Sequence, residues 1–340
     1  MRQTTMTKKI LQMESEKKNK LMIIDAQNQF IRAYIVDPST STNGAPIGGL
    51  KGFMKIMNKL CREIKPDQVV VVWDGEGGSK KRRSMNKNYK AGRKPPRLNR
   101  YENNLTEEQQ YENRIWQQTR TIEYLNETPV IQFYVPLVEA DDVISYVNNL
   151  QVFEDWNKVI VSSDKDFIQL LDEKTVLYRP TQSEVLNRGR VLEKFEIHPN
   201  NFALARAIVG DPSDNLDGVP GVGLSTVAKR LPGFSEEEPL FIDQVLSYCE
   251  KKASENKPLK IYEKILESKD KIEMNYKIMQ LSVPQISAQS RKKIRKTCEG
   301  YSPLLNKTEL LKCMTKDGIG QVSFNDLYET FSRICSFHSK

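Results

Sequence analysis

Nine acidic side chains are grouped at a few points in the first two thirds of the chain. Carboxylates crowded into one cleft repel each other and raise each other's pKa values, and a bound cation relieves that repulsion. Oxygen-only ligand sets select Mg²⁺, Mn²⁺ or Ca²⁺ over zinc. These residues could therefore form a divalent-metal centre that performs hydrolytic chemistry. They are Asp25, Asp74, Glu139, Asp141, Asp142, Asp164, Asp166, Asp211 and Asp214.

Each acidic motif taken alone has an ordinary structural explanation. Asp25 and Asp74 could be acids at strand ends, and EADD (139–142) could favour a helix N-terminus through the macrodipole. DPSDN (211–215) could form an Asx-type turn, but not an EF-hand, because Leu216 stands where that loop needs glycine. The joint occurrence of the motifs, in this order, is what indicates a metal site.

Three apolar runs, each ending on one of these aspartates, predict the elements that position them. They are LMIID (21–25), VVVVWDG (69–75) and KVIVSSD (158–164). Both faces of each run are apolar, which is typical of strands in a parallel sheet. Helical stretches between the runs predict an α/β fold with a doubly wound, mostly parallel sheet. Ligands bind beyond the carboxyl ends of such strands, so we expect the three aspartates to converge in one cleft.

A basic segment interrupts this alternation after the second strand, within an insertion at 78–120. Ten basic residues and no acid lie between Lys80 and Arg100. A disordered basic loop or a localisation signal would explain the charge, but beside an acidic cleft the segment favours a funnel for a single nucleic-acid strand. Tyr101 is a further candidate for stacking on bases. The residues of this segment assigned to nucleic-acid contact are Arg82, Arg83, Lys87 and Tyr89.

A second candidate contact is GVPGVG (218–223), followed by the helical STVAKRL (225–231). Glycines let the backbone approach a phosphate closely, and a helix N-terminus favours the anion. The pattern therefore predicts a helix–hairpin–helix element that holds the sugar–phosphate backbone without reading sequence. A tight turn between two packed helices is the alternative. The residues assigned to this contact are Gly221, Gly223, Lys229 and Arg230.

Composition divides the 340 residues into four regions. We expect a basic flexible tail at 1–20 and a metal-binding α/β core at 21–178. A helix–hairpin–helix region follows at 179–233, and amphipathic, Lys-rich helices fill 234–340. The net charge of +8 suggests a polyanionic partner, although only weakly, because solvated lysine-rich faces are common.

The remaining composition excludes several other classes of protein. Five scattered cysteines without a C-x-x-C pair argue against a disulfide scaffold, and with only two histidines they offer no Cys/His zinc site. No apolar run approaches the length of a membrane span, and the first twenty residues contain no secretory signal. We therefore expect a cytoplasmic protein without membrane contact.

The ordered motifs LMIID, VVWDG, YKAGR, VEADD, VSSDKDF, VGDPSDN and GVPGVG resemble the 5′-nuclease superfamily over residues 21–233. That family includes flap endonucleases, the 5′→3′ exonuclease domain of bacterial DNA polymerase I and bacteriophage 5′→3′ exonucleases, also called ribonuclease H. The short chain is most similar to the bacteriophage type, which would place it in an infected host cell. The resemblance implies a PIN-like nuclease core with a helical arch over its active site.

The resemblance also implies two metal clusters, occupied by two Mg²⁺ ions for which Mn²⁺ can substitute. Asp25, Asp74, Glu139, Asp141 and Asp142 would surround the first ion, while Asp164, Asp166, Asp211 and Asp214 would belong to the second, with Asp164 able to lie between them. Lys90 and Arg93 match a basic catalytic helix, and Tyr89 a stacking residue. One departure is Lys87-Asn88, which stands where the family often has an acid. A monovalent cation at the 218–223 hairpin is a further expectation.

The implied activity is metal-dependent hydrolysis of phosphodiesters at DNA flaps, 5′ ends and RNA:DNA hybrids, which removes RNA primers in lagging-strand replication. The expected partners besides nucleic acid are a single-strand-binding protein or a sliding clamp, with the chain itself a monomer. Two alternatives stay open. The first, a catalytically silent DNA-binding module, is disfavoured by the intact acid set, and the second, a PIN-type single-strand ribonuclease, by the hairpin motif.

Overall fold

The computed structural model of the protein describes residues 18–98, 105–320 and 322–338. All but the last three residues of the expected basic tail lie outside these ranges, as do Arg100 and Tyr101 of the basic segment. Within the described ranges, no helix is both long enough and apolar enough to cross a membrane.

A six-stranded sheet forms the centre of the molecule. Its spatial order is β3-β2-β1-β4-β5-β6, with the first five strands parallel and β6 antiparallel to β5. This confirms the predicted α/β class with a mostly parallel sheet. The strand order reverses at β1, which lies between β2 and β4, and ligands bind at such a switch point. The strands are β1 (Lys20–Asp25), β2 (Gln68–Trp73), β3 (Ile131–Tyr134), β4 (Asn157–Val161), β5 (Thr175–Arg179) and β6 (Glu184–Leu186).

Helices cover both faces of the sheet because the central strands are apolar on both sides. Leu21 and Ile23 of β1 point into one hydrophobic core, while Met22 and Ile24 point into the other. The helices before the hairpin region are α1 (Ala26–Val36), α2 (Gly48–Ile64), α3 (Lys80–Met85), α4 (Glu107–Asn126), α5 (Ala140–Asn148) and α6 (Arg188–Phe195). Helices α1, α2 and α4 contribute to the second core, and α5 and α6 to the first.

The hairpin region consists of α7 (Pro199–Val209), a small antiparallel ladder of β7 (Gly210–Asp211) and β8 (Leu216–Asp217), and α8 (Leu224–Arg230). The C-terminal residues form helices that divide between the two faces of the sheet. Four of them pack in the first core and the last two in the second. They are α9 (Ile242–Ala253), α10 (Lys260–Glu267), α11 (Lys269–Met279), α12 (Ala288–Glu299), α13 (Lys307–Lys316) and α14 (Phe324–His338).

The insertion at 78–120 has two structural parts. Its first described part is the short helix α3 with the turn that follows, and its second is the N-terminal two thirds of α4. Gln117 of α4 is fully buried, and its side-chain oxygen accepts a hydrogen bond from the Leu50 amide of α2 at 3.1 Å. The glutamine-rich half of the insertion is therefore packed against the α/β core, which leaves residues 78–98 as the described part beside the cleft.

Candidate active site

A cleft of about 720 Å³ opens where β1, β2 and β4 end, as the strand pattern predicts. Six of the nine candidate acids line it, together with three basic side chains that form ion pairs with candidate acids. The acids are Asp25, Asp74, Asp141, Asp164, Asp211 and Asp214, and the basic residues are Lys90, Arg93 and Arg206. Glu139, Asp142 and Asp166 lie behind this surface. The structure thus brings the acids into one region, but at different depths.

The strand ends fix the carboxylates through hydrogen bonds to neighbouring segments. Asp25, the last residue of β1, accepts from the Asn28 amide at 3.1 Å and from the Ser162 hydroxyl at 2.8 Å. Asp74 follows β2 and accepts from the Ala140 amide at 2.9 Å, at the start of α5. Asp25 therefore caps α1, while Asp74 holds the N-terminus of α5 at the cleft.

Ion pairing separates the nine acids into two groups. Five contact a basic side chain: Glu139, Asp142, Asp166, Asp211 and Asp214. The other four have no ion pair to a lysine or arginine within 4.0 Å in the described ranges: Asp25, Asp74, Asp141 and Asp164. We call these four the unpaired carboxylates.

Two of the unpaired carboxylates, Asp25 and Asp141, have raised pKa values. Burial, followed by the charge of Asp74, raises the pKa of Asp25 to about 7. Burial and then Asp164 raise the pKa of Asp141 well above its ordinary value. A divalent cation would relieve both effects, and all the available ligand atoms are oxygens, so the residues present fit such an ion. In the described part of the chain, no three metal-binding side chains are already drawn together closely enough to hold it.

Glu139 and Asp142 share one face of α5, as their spacing predicts, and that face points at Arg82 of α3. Arg82 forms ion pairs with both acids, at 2.9 Å to Asp142, and its Nε donates to the Ile278 carbonyl at 2.9 Å. Asp142 also accepts from the Gln285 amide at 2.8 Å. The two acids therefore already have a cationic partner, so their role as metal ligands stays a prediction that this packing does not favour.

Two residues assigned to nucleic-acid contact from the sequence are buried instead. Arg82 and Tyr89 are each 3 % exposed. The Tyr89 hydroxyl donates to Glu139 at 3.1 Å, and its ring packs with Leu216 and Ile278. In this conformation neither side chain can stack on a base or reach a phosphate, whereas Arg83 and Lys87 are exposed. Helical spacing could not have identified the pair, because α3 ends at Met85 and Tyr89 lies on the turn that follows.

The two candidate catalytic cations lie on a turn, not on the helix that the resemblance implied. Lys90 has a positive φ of 55°, and its amide donates to the Asp214 carbonyl at 2.8 Å. Its ammonium group pairs with Glu139. Arg93 pairs with Asp214 and donates through Nε to the Ser213 carbonyl at 3.1 Å. The turn that carries both cations is therefore attached to the 212–214 helical turn at the edge of the cleft.

The hairpin residues lie apart from the acids. Gly221 is exposed with a φ of +78°, a conformation that glycine adopts without strain. Gly223 precedes α8, and no atom lies within 4 Å of where its Cβ would be. Lys229 and Arg230 are exposed in the last turn of α8. None of the four is buried, so their contact with a sugar–phosphate backbone stays a prediction.

Arg206, which pairs with both Asp166 and Asp211, was not among the candidates from the sequence. Burial, followed by the charge of Asp164, raises the pKa of Asp166 to about 7 despite this arginine. Arg206 lies five residues before Asp211, in the last turn of α7. A basic residue in the turn before an acidic motif was the available signal.

Comparison with known proteins supports the same fold and family. The family model for the 5′-3′ exonuclease N-terminal, resolvase-like domain matches residues 20–196. DNA polymerase I of Caldicellulosiruptor bescii is 31 % identical over 256 residues, which are 73 % of this chain but only 28 % of that polymerase. The 5′-3′ exonuclease of Aquifex aeolicus is 28 % identical over 263 residues, covering 77 % of this chain and 81 % of that protein.

Among solved structures, the 5′-exonuclease of bacteriophage T5 with bound zinc ions superimposes with a TM-score of 0.60 at 18 % identity. The superposition covers 94 % of this chain and 99 % of the bacteriophage enzyme. At this identity the likeness establishes the fold, and it extends through the C-terminal helices that the family model does not reach.

Proposed function

The chain belongs to the 5′-3′ exonuclease family, and on that premise we propose that it is a divalent-metal-dependent 5′-nuclease. It would hydrolyse phosphodiesters at DNA 5′ ends and flaps. The observation that carries the proposal is the group of four unpaired carboxylates in a cleft whose other acids have basic partners. Carboxylates crowded together without a basic partner, with Asp25 itself buried, are costly to ionise unless a cation binds there.

The unpaired carboxylates would hold the first ion, with Mg²⁺ as the ion and Mn²⁺ as its substitute. When bound, divalent ions in such a site polarise the scissile phosphate and lower the pKa of an attacking water. Asp166, Asp211 and Asp214 stay candidate ligands for a second ion. In this structure, however, their carboxylates contact Arg206 and Arg93.

Lys90 and Arg93 would supply positive charge to the phosphate as negative charge develops on it, where preorganised cations are most effective. The Arg93 side chain is 51 % exposed and can exchange Asp214 for a phosphate oxygen by rotating about its own bonds. Lys90 is 18 % exposed and is held by Glu139. A phosphate reaching Lys90 would therefore compete with a carboxylate that has two further hydrogen-bonding partners, Arg82 and Tyr89.

Two surfaces outside the carboxylate cleft would bind the substrate. Arg83 and Lys87 would contact the single strand, while the hairpin with Gly221 and Gly223 would hold the duplex, with or without a bound monovalent cation. We also propose the division of the chain into a tail at 1–20, a nuclease core at 21–178, a hairpin region at 179–233 and a helical region at 234–340. We further propose, from the family resemblance, activity on RNA:DNA hybrids and removal of primers during replication. A single-strand-binding protein or sliding clamp is the proposed partner of a monomeric enzyme.

The test replaces Asp164 or Asp74 with asparagine and measures cleavage of a 5′-labelled flap and its RNA-primed counterpart in Mg²⁺. Both variants should lose turnover while substrate affinity, measured in Ca²⁺, stays within about tenfold, ~1.4 kcal/mol. The affinity is retained because the basic turn and the hairpin supply the contacts. Asp155→Asn is the matched control, since that side chain is 91 % exposed and precedes the amino end of β4, whereas Asp164 follows its carboxyl end.

Near-normal turnover by both cleft variants would contradict the metal assignment. Flap binding by the wild type without cleavage in Mg²⁺ or Mn²⁺ would favour the silent binding module. Cleavage confined to single-stranded RNA would favour the PIN-type ribonuclease.

A further inference from the structure

Two of the acids expected to hold a second ion already share a cation. Arg206 donates through Nε to Asp166 at 3.0 Å and through a terminal nitrogen to Asp211, while its other terminal nitrogen donates to the Gly210 carbonyl at 3.3 Å. The arginine side chain is only 12 % exposed. The planar guanidinium can bridge two carboxylates at once, which an ammonium group does less well.

The backbone holds this bridge in place from both sides. Arg206 lies in the last turn of α7, and Asp211 follows that helix directly in β7. Asp166 begins the 3₁₀ turn 166–170 after β4, against which α7 packs. The arginine therefore joins a carboxylate 40 residues before it in the chain to one five residues after it.

The unpaired carboxylates and the pair Asp166 and Asp211 differ in whether a basic side chain lies beside them. Around Asp25 and Asp141 no arginine or lysine of the described ranges comes within ion-pair distance, whereas at Asp166 and Asp211 one arginine occupies the space between them. Asp164, one of the unpaired carboxylates, adjoins the Asp166–Asp211 pair, since its Oδ1 accepts from the Asp166 amide at 2.8 Å. A divalent ion entering the unpaired group displaces no cation, but an ion entering the other group meets one.

We propose that Arg206 acts as a built-in cation for the pair Asp166 and Asp211, which we call the second carboxylate group. Its charge would weaken the binding of a divalent ion to that group. The inference rests on the proposed function for the first ion. A divalent ion that enters this group must break both ion pairs of Arg206. The guanidinium then stays largely buried without its carboxylate partners, which costs free energy and weakens the binding of the ion. The protein therefore binds one ion tightly and a second only at a much higher concentration, with Arg206 displaced.

The test measures Mn²⁺ binding directly, by the electron paramagnetic resonance signal of free Mn²⁺ in titrations without nucleic acid. The wild type should bind one ion tightly and a second weakly. Arg206→Gln should tighten the second ion at least tenfold and leave the first within about threefold. Arg206→Lys, which keeps the charge, should resemble the wild type. Arg190→Gln, an exposed arginine of α6, is the matched control and should change neither ion.

A second measurement needs no charge-removing variant and so does not depend on the folding of Arg206→Gln. In the ¹⁵N-labelled wild type, the Nε–H resonance of Arg206, assigned by its loss in Arg206→Lys, is followed during a Mg²⁺ titration. The resonance should stay in place through the first equivalent of bound ion and move with the second.

Weaker or unchanged binding of the second ion in Arg206→Gln would overturn the inference, because the arginine would then orient the ligands or play no part. Movement of the resonance with the first equivalent would overturn it as well. Failure of the proposed function gives a different result. In that case the wild type lacks the tight first ion, while the comparison of Arg206→Gln with the wild type at the second group still decides the inference.

Discussion

Replacing Arg82 of α3 by methionine should strongly destabilise the protein, because it removes the buried cation beneath the cleft. The Arg82 side chain is 4 % exposed, and its partners Glu139 and Asp142 are 5 % and 2 % exposed. After the substitution, Glu139 keeps Lys90 and Tyr89, but Asp142 keeps only the Gln285 amide among its hydrogen bonds in the described chain. A carboxylate would then be buried without a compensating charge.

The magnitude follows from that uncompensated charge. Removing one partner of a buried ion pair costs about 3–5 kcal/mol, and the Ile278 carbonyl also loses its side-chain donor, which costs about 1 kcal/mol. We expect the free energy of unfolding to fall by ~4–6 kcal/mol in urea titrations followed by circular dichroism in EDTA. Arg83→Met, the exposed neighbour on the same helix, should change it by less than about 0.5 kcal/mol.

A double variant separates the charge from the packing. If the loss comes from Asp142 left unpaired, Arg82→Met combined with Asp142→Leu should be more stable than Arg82→Met alone, which is a non-additive result. A loss below about 1 kcal/mol in Arg82→Met, together with weaker DNA binding, would refute the structural role. It would restore the sequence-based assignment of Arg82 to nucleic-acid contact.

Three further predictions concern the cleft and the hairpin. Lys90→Ala should slow single-turnover cleavage by about a hundredfold or more, ~2.7 kcal/mol, and a change in affinity alone would reassign Lys90 to ordinary phosphate contact. Gly223→Val should fold normally, since the space is open and its φ is −116°, yet lose affinity for flaps with a duplex more than for single strands. For Gly223→Val, the slope of the logarithm of the binding constant against the logarithm of salt concentration should change by less than about one unit, whereas Lys229→Ala should reduce it by about one. Equal losses of affinity for flaps and for single strands would contradict a hairpin that holds the duplex. In EDTA the free energy of unfolding should fall as pH rises from about 4 to 7, because Asp25, with its pKa raised to about 7, stays protonated in the folded state while its unfolded counterpart ionises near 4. Urea titrations at several pH values test this, and added Mg²⁺ should abolish the decline. A rise in stability over that range would refute the repulsion at Asp25.

The strand ends could be predicted because the signal is local. A run that is apolar on both faces must be buried on both faces, and parallel strands end at one edge of the sheet, so the positions of Asp25 and Asp74 follow without knowledge of the register. The parallel pairing of β1 with β2 and β4 confirms this part of the reasoning.

The pairing of the acids could not be predicted, because it depends on residues far apart in the chain. Arg82 and Asp142 are 60 residues apart, and Arg206 and Asp166 are 40 apart. In the sequence, Arg82 is one of ten similar cations, and nothing in its type shows that it is the buried one. Tyr89 joins Arg82 beneath the cleft through a turn after α3, which no helical periodicity in the sequence indicates.

The C-terminal helices show a similar limit. Their amphipathic pattern predicts that one face of each is buried, but not against what. In the structure, Leu310 and Phe331 of α13 and α14 pack in the core on the α2 side of the sheet, whereas Ile272 and Ile294 of α11 and α12 pack on the other. Periodicity identifies a buried face, and only the path of the chain decides which core it enters.

Stability alone would favour a basic partner for every buried acid, and this cleft has cations enough nearby to supply some of them. Lys90, Arg93 and Arg206 all line it, yet each contacts acids other than the unpaired carboxylates. Asp25, with its raised pKa, shows that ionising this group costs free energy in the folded chain. The absence of a basic partner does not stabilise the fold, because Asp25 and Asp74 could cap their helices equally well with a basic side chain alongside. A cost kept at Asp25 and Asp141, beside two more carboxylates without a basic partner, is what a site for a mobile divalent cation requires, since the five acids next to them are neutralised. The informative property of the acids is therefore which of them the fold leaves without a cation, and their number alone would not have revealed it.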